Sequence, residues 1–226
     1  RYWPQVIIHG SKISTPSHSI VLRNINGISK YKTMAFVRYA FPGNPNDFDV
    51  NITAPANHIV VCSGELTNPS EVYTADEQKR LSEAKQSDKT VMIRTAEEMD
   101  LSSKNNTNSV KTWKFKIKNS RDVSWASSAA FILDGAKINL PSGKKSLALS
   151  VYPVESAGNE AWGRSTEYTK ASIENYSKRW YEYPYASAIN VAGNEGGMEY
   201  PGIVFCSWES KGEDLWGVTD HEFGHI

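Results

Sequence analysis

His221-Glu222-Phe223-Gly224-His225 stands one position before the end of the 226-residue sequence, and its spacing decides how the rest is read. Side chains four apart share one face of an α-helix, separated by about one turn, roughly 5.4 Å. Two imidazoles so placed can both reach one tetrahedral Zn²⁺, and the carboxylate between them can approach a water held by the metal without being a ligand itself. His221 and His225 are therefore the candidate metal ligands, and Glu222 the candidate general base. Phe223 and Gly224 are uncharged, as a helix packed on a core requires. The competing explanation is two histidines that cap or pack on a helix by chance. Asp220, beside the first histidine, is expected to be exposed or to accept a hydrogen bond from a ligand's second ring N–H, with exposure the favoured reading.

Upstream lies Gly196-Gly197-Met198-Glu199-Tyr200-Pro201. Consecutive glycines let a ligand approach the backbone closely, and a carboxylate beside them can pair with a cation. Taken alone, a Gly-Gly turn with an exposed Glu is a common loop. The stretch around it mixes helix and strand. Leu147 to Tyr152 reads as a strand, and about Ala161 to Tyr181 as a helix with Thr169, Ile173, Tyr176 and Trp180 on one stripe, stopped by Pro184. Ile189 to Val191 and Ile203 to Phe205 read as short strands, and a helix must begin near Leu215 to carry the histidines.

From Val6 to about Leu149 strands and turns dominate. Phe48, Val50 and Ile52 alternate with Asp49, Asn51 and Thr53, Ile59-Val60-Val61 reads as a buried strand, and Trp113, Phe115 and Ile117 oppose Lys114, Lys116 and Lys118 across a sheet. The lysines read as a solvated face. Turn chemistry marks Pro42 to Asn46 and Ser102 to Ser109. One helix is expected in this half, where Thr74 and Glu77 form a capping-box pattern ahead of a polar run to Lys85. Pro141-Ser142-Gly143-Lys144-Lys145 is the candidate junction, dividing an α+β chain into a β-rich part, residues 1–145, and a mixed part, residues 146–226.

Bulk properties narrow the function classes. Lys+Arg and Asp+Glu number 25 each, so net charge offers nothing to nucleic acid or an anionic membrane. No apolar run is long enough for a membrane-spanning helix. Cys62 and Cys206 lie too far apart for a CxxC pair and read as buried free thiols. The first residue is not Met and the last follows a candidate metal ligand, so both ends read as cuts through a longer polypeptide.

In combination the two motifs resemble the aminopeptidase N and leukotriene hydrolase family of zinc peptidases, thermolysin-like gluzincins. A Gly-x-Met-Glu-Asn segment there precedes the HExxH helix, as Gly196 to Glu199 precede His221. His58 to Pro69, Thr90 to Thr95, Asn119 to Trp125 and Tyr183-Pro184-Tyr185 look like the bacterial branch, so the likeness covers nearly the whole chain. The resemblance implies an N-terminal antiparallel β-sheet domain, entered partway, followed by the first part of a thermolysin-like catalytic domain. It also implies one Zn²⁺ held by His221, His225 and a later Glu, with Glu222 as general base. Glu199 would bind the free α-amino group of a peptide substrate, and Gly196, Gly197 and Met198 would line an edge-strand cleft. Tyr200 departs from the pattern's Asn. A transition-state Tyr and a closing helical domain are also expected later, so this stretch alone should bind zinc weakly and be inactive. The resemblance suggests a periplasmic or extracellular location. Alternatives are an endopeptidase or epoxide-hydrolysing relative, and a non-catalytic binding or scaffold homologue.

Overall fold

The computed structural model describes residues 5–10, 21–25, 34–40, 46–104 and 109–226. In chain order these form β1 (Gln5–Gly10), β2 (Val21–Ile25), β3 (Met34–Ala40), β4 (Asn46–Pro55), β5 (Ile59–Cys62), β6 (Glu65–Leu66), α1 (Pro69–Val72), α2 (Ala75–Ala84), β7 (Val91–Arg94) and α3 (Ala96–Lys104). The chain continues through β8 (Val110–Ser120), β9 (Asp122–Ser128), β10 (Ile132–Asn139), β11 (Lys145–Tyr152), α4 (Ser165–Arg179), β12 (Ser187–Gly193), β13 (Met198–Tyr200), β14 (Ile203–Ser207) and α5 (Gly212–Gly224). Residues 42–45 of the first expected turn and 105–108 of the second lie outside the described residues.

The alternating patterns become antiparallel sheets. One sheet runs β1-β4-β8-β6 and a second β2-β3-β9-β5. On the first, Val50 pairs with Phe115 and Ile52 with Trp113, and all four side chains are buried. The opposite face is solvated as expected, yet its charges are matched: Lys116 meets Asp49 at 3.1 Å and Lys114 meets Glu71 at 3.0 Å. Such exposed pairs add little stability.

The third sheet, β13-β14-β12-β11-β10-β7, carries the motifs. β11, β12 and β14 run parallel, and α4 supplies the crossover that a parallel β11–β12 step needs. Parallel strands are buried on both faces, which explains their unbroken apolar runs. Leu149, Val151, Ile189, Val191, Ile203 and Phe205 share a core with Val60, Phe115 and Trp125 of the β-rich part. Ala148, Ala188, Ala192 and Val204 face α4 and α5, packing with Ile173, Leu215 and Phe223.

Two expectations are corrected, and the candidate junction takes a defined local form. The candidate junction Pro141 to Lys145 forms the turn of the β10–β11 hairpin, closed by Leu140 N–H on Lys144 O at 3.0 Å and by Gly143 at φ +83°. Pro, Ser and Gly suit a tight turn for the same reasons that they suit a linker, and strands on both sides of residue 145 share one sheet. The stripe on α4 is built from Thr166, Thr169, Ser172, Ile173 and Ser177, while Trp180 lies past the helix and is 82% exposed. Small residues there let α4 sit close to the sheet. The β-rich half also holds α1 and α3 besides the expected α2. The α2 capping box is present, and Thr95 and Glu98 form a second reciprocal pair, at 3.0 and 3.2 Å, ahead of α3.

Candidate metal and peptide site

α5 follows β14 and packs on α4, so its last turn comes to rest beside β13, the edge strand of the six-stranded sheet. His221 lies in that last turn and His225 at the C-cap. Their rings are exposed, and the two Nε2 atoms converge to 3.1 Å. With one Nε2 protonated this contact is an N–H···N hydrogen bond. With both Nε2 atoms bare, the same spacing fits a shared cation, since bonds of about 2.0–2.1 Å at tetrahedral angles separate two nitrogens by about 3.3 Å. Two neutral imidazoles also suit zinc chemically. Among the described residues no group of three or more His, Cys, Asp or Glu side chains could hold a metal ion.

Glu222, between the two exposed rings in sequence, is buried. Burial raises its carboxyl above the usual range, the neighbouring Glu199 pushes in the same direction, and His221 and His225 pull against them. The space for Glu222 is made by Gly197. A Cβ at Gly197 would overlap Glu222 Oε1 and come within 2.9 Å of its Cδ, whereas a Cβ at Gly196 meets nothing within 4 Å. The two glycines, equivalent by sequence, differ in what they admit: Gly197 accommodates a side chain of the protein itself.

Among the described residues β13 pairs only with β14, antiparallel, Glu199 opposite Val204. Alternation puts Met198 and Tyr200 on one face, where both pack against the larger core and Tyr200 stacks edge-on against Phe205 with centroids 5.7 Å apart. That contact accounts for an aromatic where the resemblance implied Asn. Glu199 takes the other face, within hydrogen-bonding reach of Glu222. The row His225, His221, Glu222, Glu199 is thus continuous, and beyond it Arg121 from the β8–β9 turn approaches Glu199 Oε1 at 3.9 Å.

Asp220 is neither exposed nor aimed at a histidine. It is half-buried and accepts hydrogen bonds from Ser172 Oγ at 2.7 Å and Tyr176 Oη at 2.8 Å, clasping α5 to α4. Gly224 permits this approach, since a Cβ there would lie 3.2 Å from Tyr176 Oη. Beneath α5, buried Asn190 donates to Thr219 Oγ1 at 2.9 Å. Sequence reading missed Arg121, Ser172 and Thr219 as neighbours of this helix, and took Tyr176 only as a member of a stripe.

No family model matches the sequence, and no curated protein matches it. Solved structures do. A Legionella pneumophila aminopeptidase A, solved in complex with aspartic acid, superposes with a TM-score of 0.58 at 11% identity, covering 90% of this chain and 23% of that one. The fold is that of M1 zinc aminopeptidases. A two-domain M1 zinc metallopeptidase mutant bound to L-arginine gives a TM-score of 0.53 at 11% identity, over 97% of this chain and 54% of that one. A Deinococcus radiodurans M1 zinc metallopeptidase mutant gives 0.51 at 13% identity, over 90% and 44%. The chain therefore spans about a quarter to a half of the proteins it resembles, and at these identities the likeness is one of fold.

Proposed function

We propose that the protein is a zinc-dependent aminopeptidase. The observation that carries this reading is the convergence of His221 and His225 Nε2 at 3.1 Å beside a buried Glu222 and an edge strand bearing Glu199. Zinc bound by the two imidazoles would supply Lewis-acid polarisation of a peptide carbonyl and acidification of a water. Glu222, seated against Gly197, would take a proton from that water and return it to the departing amine. The open side of β13 can pair with an extended peptide backbone as an added strand. Glu199 would then hold the peptide's free ammonium, which needs a carboxylate partner in a partly shielded cleft.

The test uses the full-length polypeptide. It should retain zinc through dialysis and release an N-terminal residue from a chromogenic aminoacyl substrate. Glu222→Gln should keep the metal and lose roughly 10²–10⁴-fold in kcat, whereas His221→Ala should lose the metal. A wild-type protein that holds no zinc would favour the scaffold reading, and equal loss of metal in both variants would overturn the division of roles.

A further inference from the structure

Arg121 is the single residue between β8 and β9. Its backbone is pinned from both sides: Asn119, at φ +52°, donates its N–H to Asp47 Oδ1 at 2.9 Å, and Ser120 Oγ donates to Asp122 O at 2.7 Å. Its side chain is not pinned. The side chain is 60% exposed, with Nη2 3.9 Å from Glu199 Oε1 and Nε 3.8 Å from buried Asp122 Oδ2. Both separations exceed hydrogen-bond length, so charge keeps the group nearby while its planar fork of donors stays open.

An arginine fork is shaped for a carboxylate. We propose that Arg121 makes the site selective for peptides whose N-terminal residue is acidic, the α-ammonium pairing with Glu199 and the side-chain carboxylate with Arg121. This inference rests on the aminopeptidase reading above. The protein presents an anion and a cation about 4 Å apart, and an N-terminal Asp or Glu carries a cation and an anion with a few ångströms between them. Binding gives up the Arg121–Glu199 pair for two pairs with the substrate while Asp122 stays beside the guanidinium, so no charge is left without a partner. A neutral N-terminal residue draws Glu199 toward its ammonium and offers Arg121 no second anion, leaving the guanidinium with Asp122 alone. An N-terminal Lys adds a second cation beside the guanidinium. Selectivity therefore comes as much from the penalty on other residues as from attraction to acidic ones.

The test compares kcat/KM for aspartyl, glutamyl, leucyl and lysyl p-nitroanilides in the full-length zinc protein. The same proteins, with and without zinc, are titrated calorimetrically with aspartic acid α-amide and leucinamide. Acidic substrates should be preferred by on the order of tenfold or more, the range of a charge-assisted hydrogen bond. Arg121→Gln should bring the acidic-to-neutral ratio toward one, and Arg121→Lys should restore part of it. The aspartic amide should bind more tightly than leucinamide, zinc or no zinc, and Arg121→Gln should abolish the difference. Faster turnover of neutral than acidic substrates, or a ratio that Arg121→Gln leaves in place, overturns the inference and spares the aminopeptidase reading. A protein that turns over no aminoacyl substrate at all removes both.

Discussion

Tyr176 on α4 donates its phenolic hydroxyl to the Asp220 carboxylate on α5 at 2.8 Å, and the same hydroxyl also lies 3.2 Å from Asp220 O. Asp220 immediately precedes His221, so the contact fixes the turn from which both imidazoles project. A neutral donor to a charged acceptor in a half-buried setting contributes about 1.5–3 kcal/mol. Tyr176→Phe and Asp220→Asn should each lower the urea unfolding midpoint, and the double variant should lose less than the sum, with a coupling of about 1 kcal/mol or more. Additive losses would mean that the two side chains do not act together. Ser172→Ala should behave likewise against Asp220.

Gly196 and Gly197 should part company under substitution. Neither has a left-handed backbone, so conformational freedom does not separate them. Gly197→Ala places a methyl group into the Glu222 carboxylate, and either the acid moves or the edge strand does. The atoms met are the far end of a flexible side chain, with Val218 Cγ2 next at 3.2 Å, so the acid can yield and the cost should stay at or below about 1 kcal/mol. Gly196→Ala meets open space and should change stability by about 0.5 kcal/mol or less. Thermal unfolding of the two variants checks that Gly197→Ala costs more than Gly196→Ala but no more than about 1 kcal/mol, and a larger loss would mean that Glu222 is held rigidly against Gly197.

Buried Asp134 gives a pH signature. It accepts from Tyr152 Oη at 2.6 Å and Thr166 Oγ1 at 2.5 Å, and burial pushes its carboxyl up to about 7 against the pull of those two bonds. An unfolded Asp titrates near 3.9. Between roughly pH 4 and 7 the native state therefore holds a proton that the unfolded state has lost, so this group's contribution to stability falls as pH rises through that window and is flat above it. Asp134→Asn mimics the protonated form. Its stability relative to wild type should climb from pH 4 to 7 and then level off. A gap that stays constant across that range would mean that Asp134 is ionised in the fold.

How much of this the sequence disclosed depends on the range of the contact. Local signals were legible: the Thr74–Glu77 capping box, the Trp113-Phe115-Ile117 alternation, and the i, i+4 histidines all act within one element, and each appears where the pattern put it. The neighbours of the site were not legible. Arg121 reaches Glu199 only because the β8–β9 turn is brought beside β13, and Asp220 is half-buried only because α4 and α5 pack side by side. Neither follows from a spacing along the chain. The hairpin turn at Pro141 was not legible as such for a different reason, since turn and linker draw on the same residues. Thr95 and Glu98 carried the same signature as Thr74 and Glu77 and could have been read.

Glu199 decides between an aminopeptidase and an endopeptidase. In the structure its carboxylate is about a quarter exposed, touches Glu222, and has Arg121 at ion-pair distance without a hydrogen bond. It is therefore charged on one side by a loosely held cation and crowded on the other by a second carboxyl, an arrangement that a substrate ammonium would improve by adding positive charge between like groups. Glu199→Ala in the full-length protein should lower kcat/KM for free-amino substrates by about 1.5–3 kcal/mol, the worth of a lost charged hydrogen bond, while zinc content stays at the wild-type level. N-acetylated substrates lack the ammonium, so they should be poor for the wild type and lose less in the variant. A purely structural Glu199, holding β13 through Arg121, would penalise blocked and free substrates alike, and Arg121→Gln would reproduce the loss. Efficient cleavage of acetylated peptides by the wild type would instead leave Glu199 without a substrate cation to bind and would make the protein an endopeptidase.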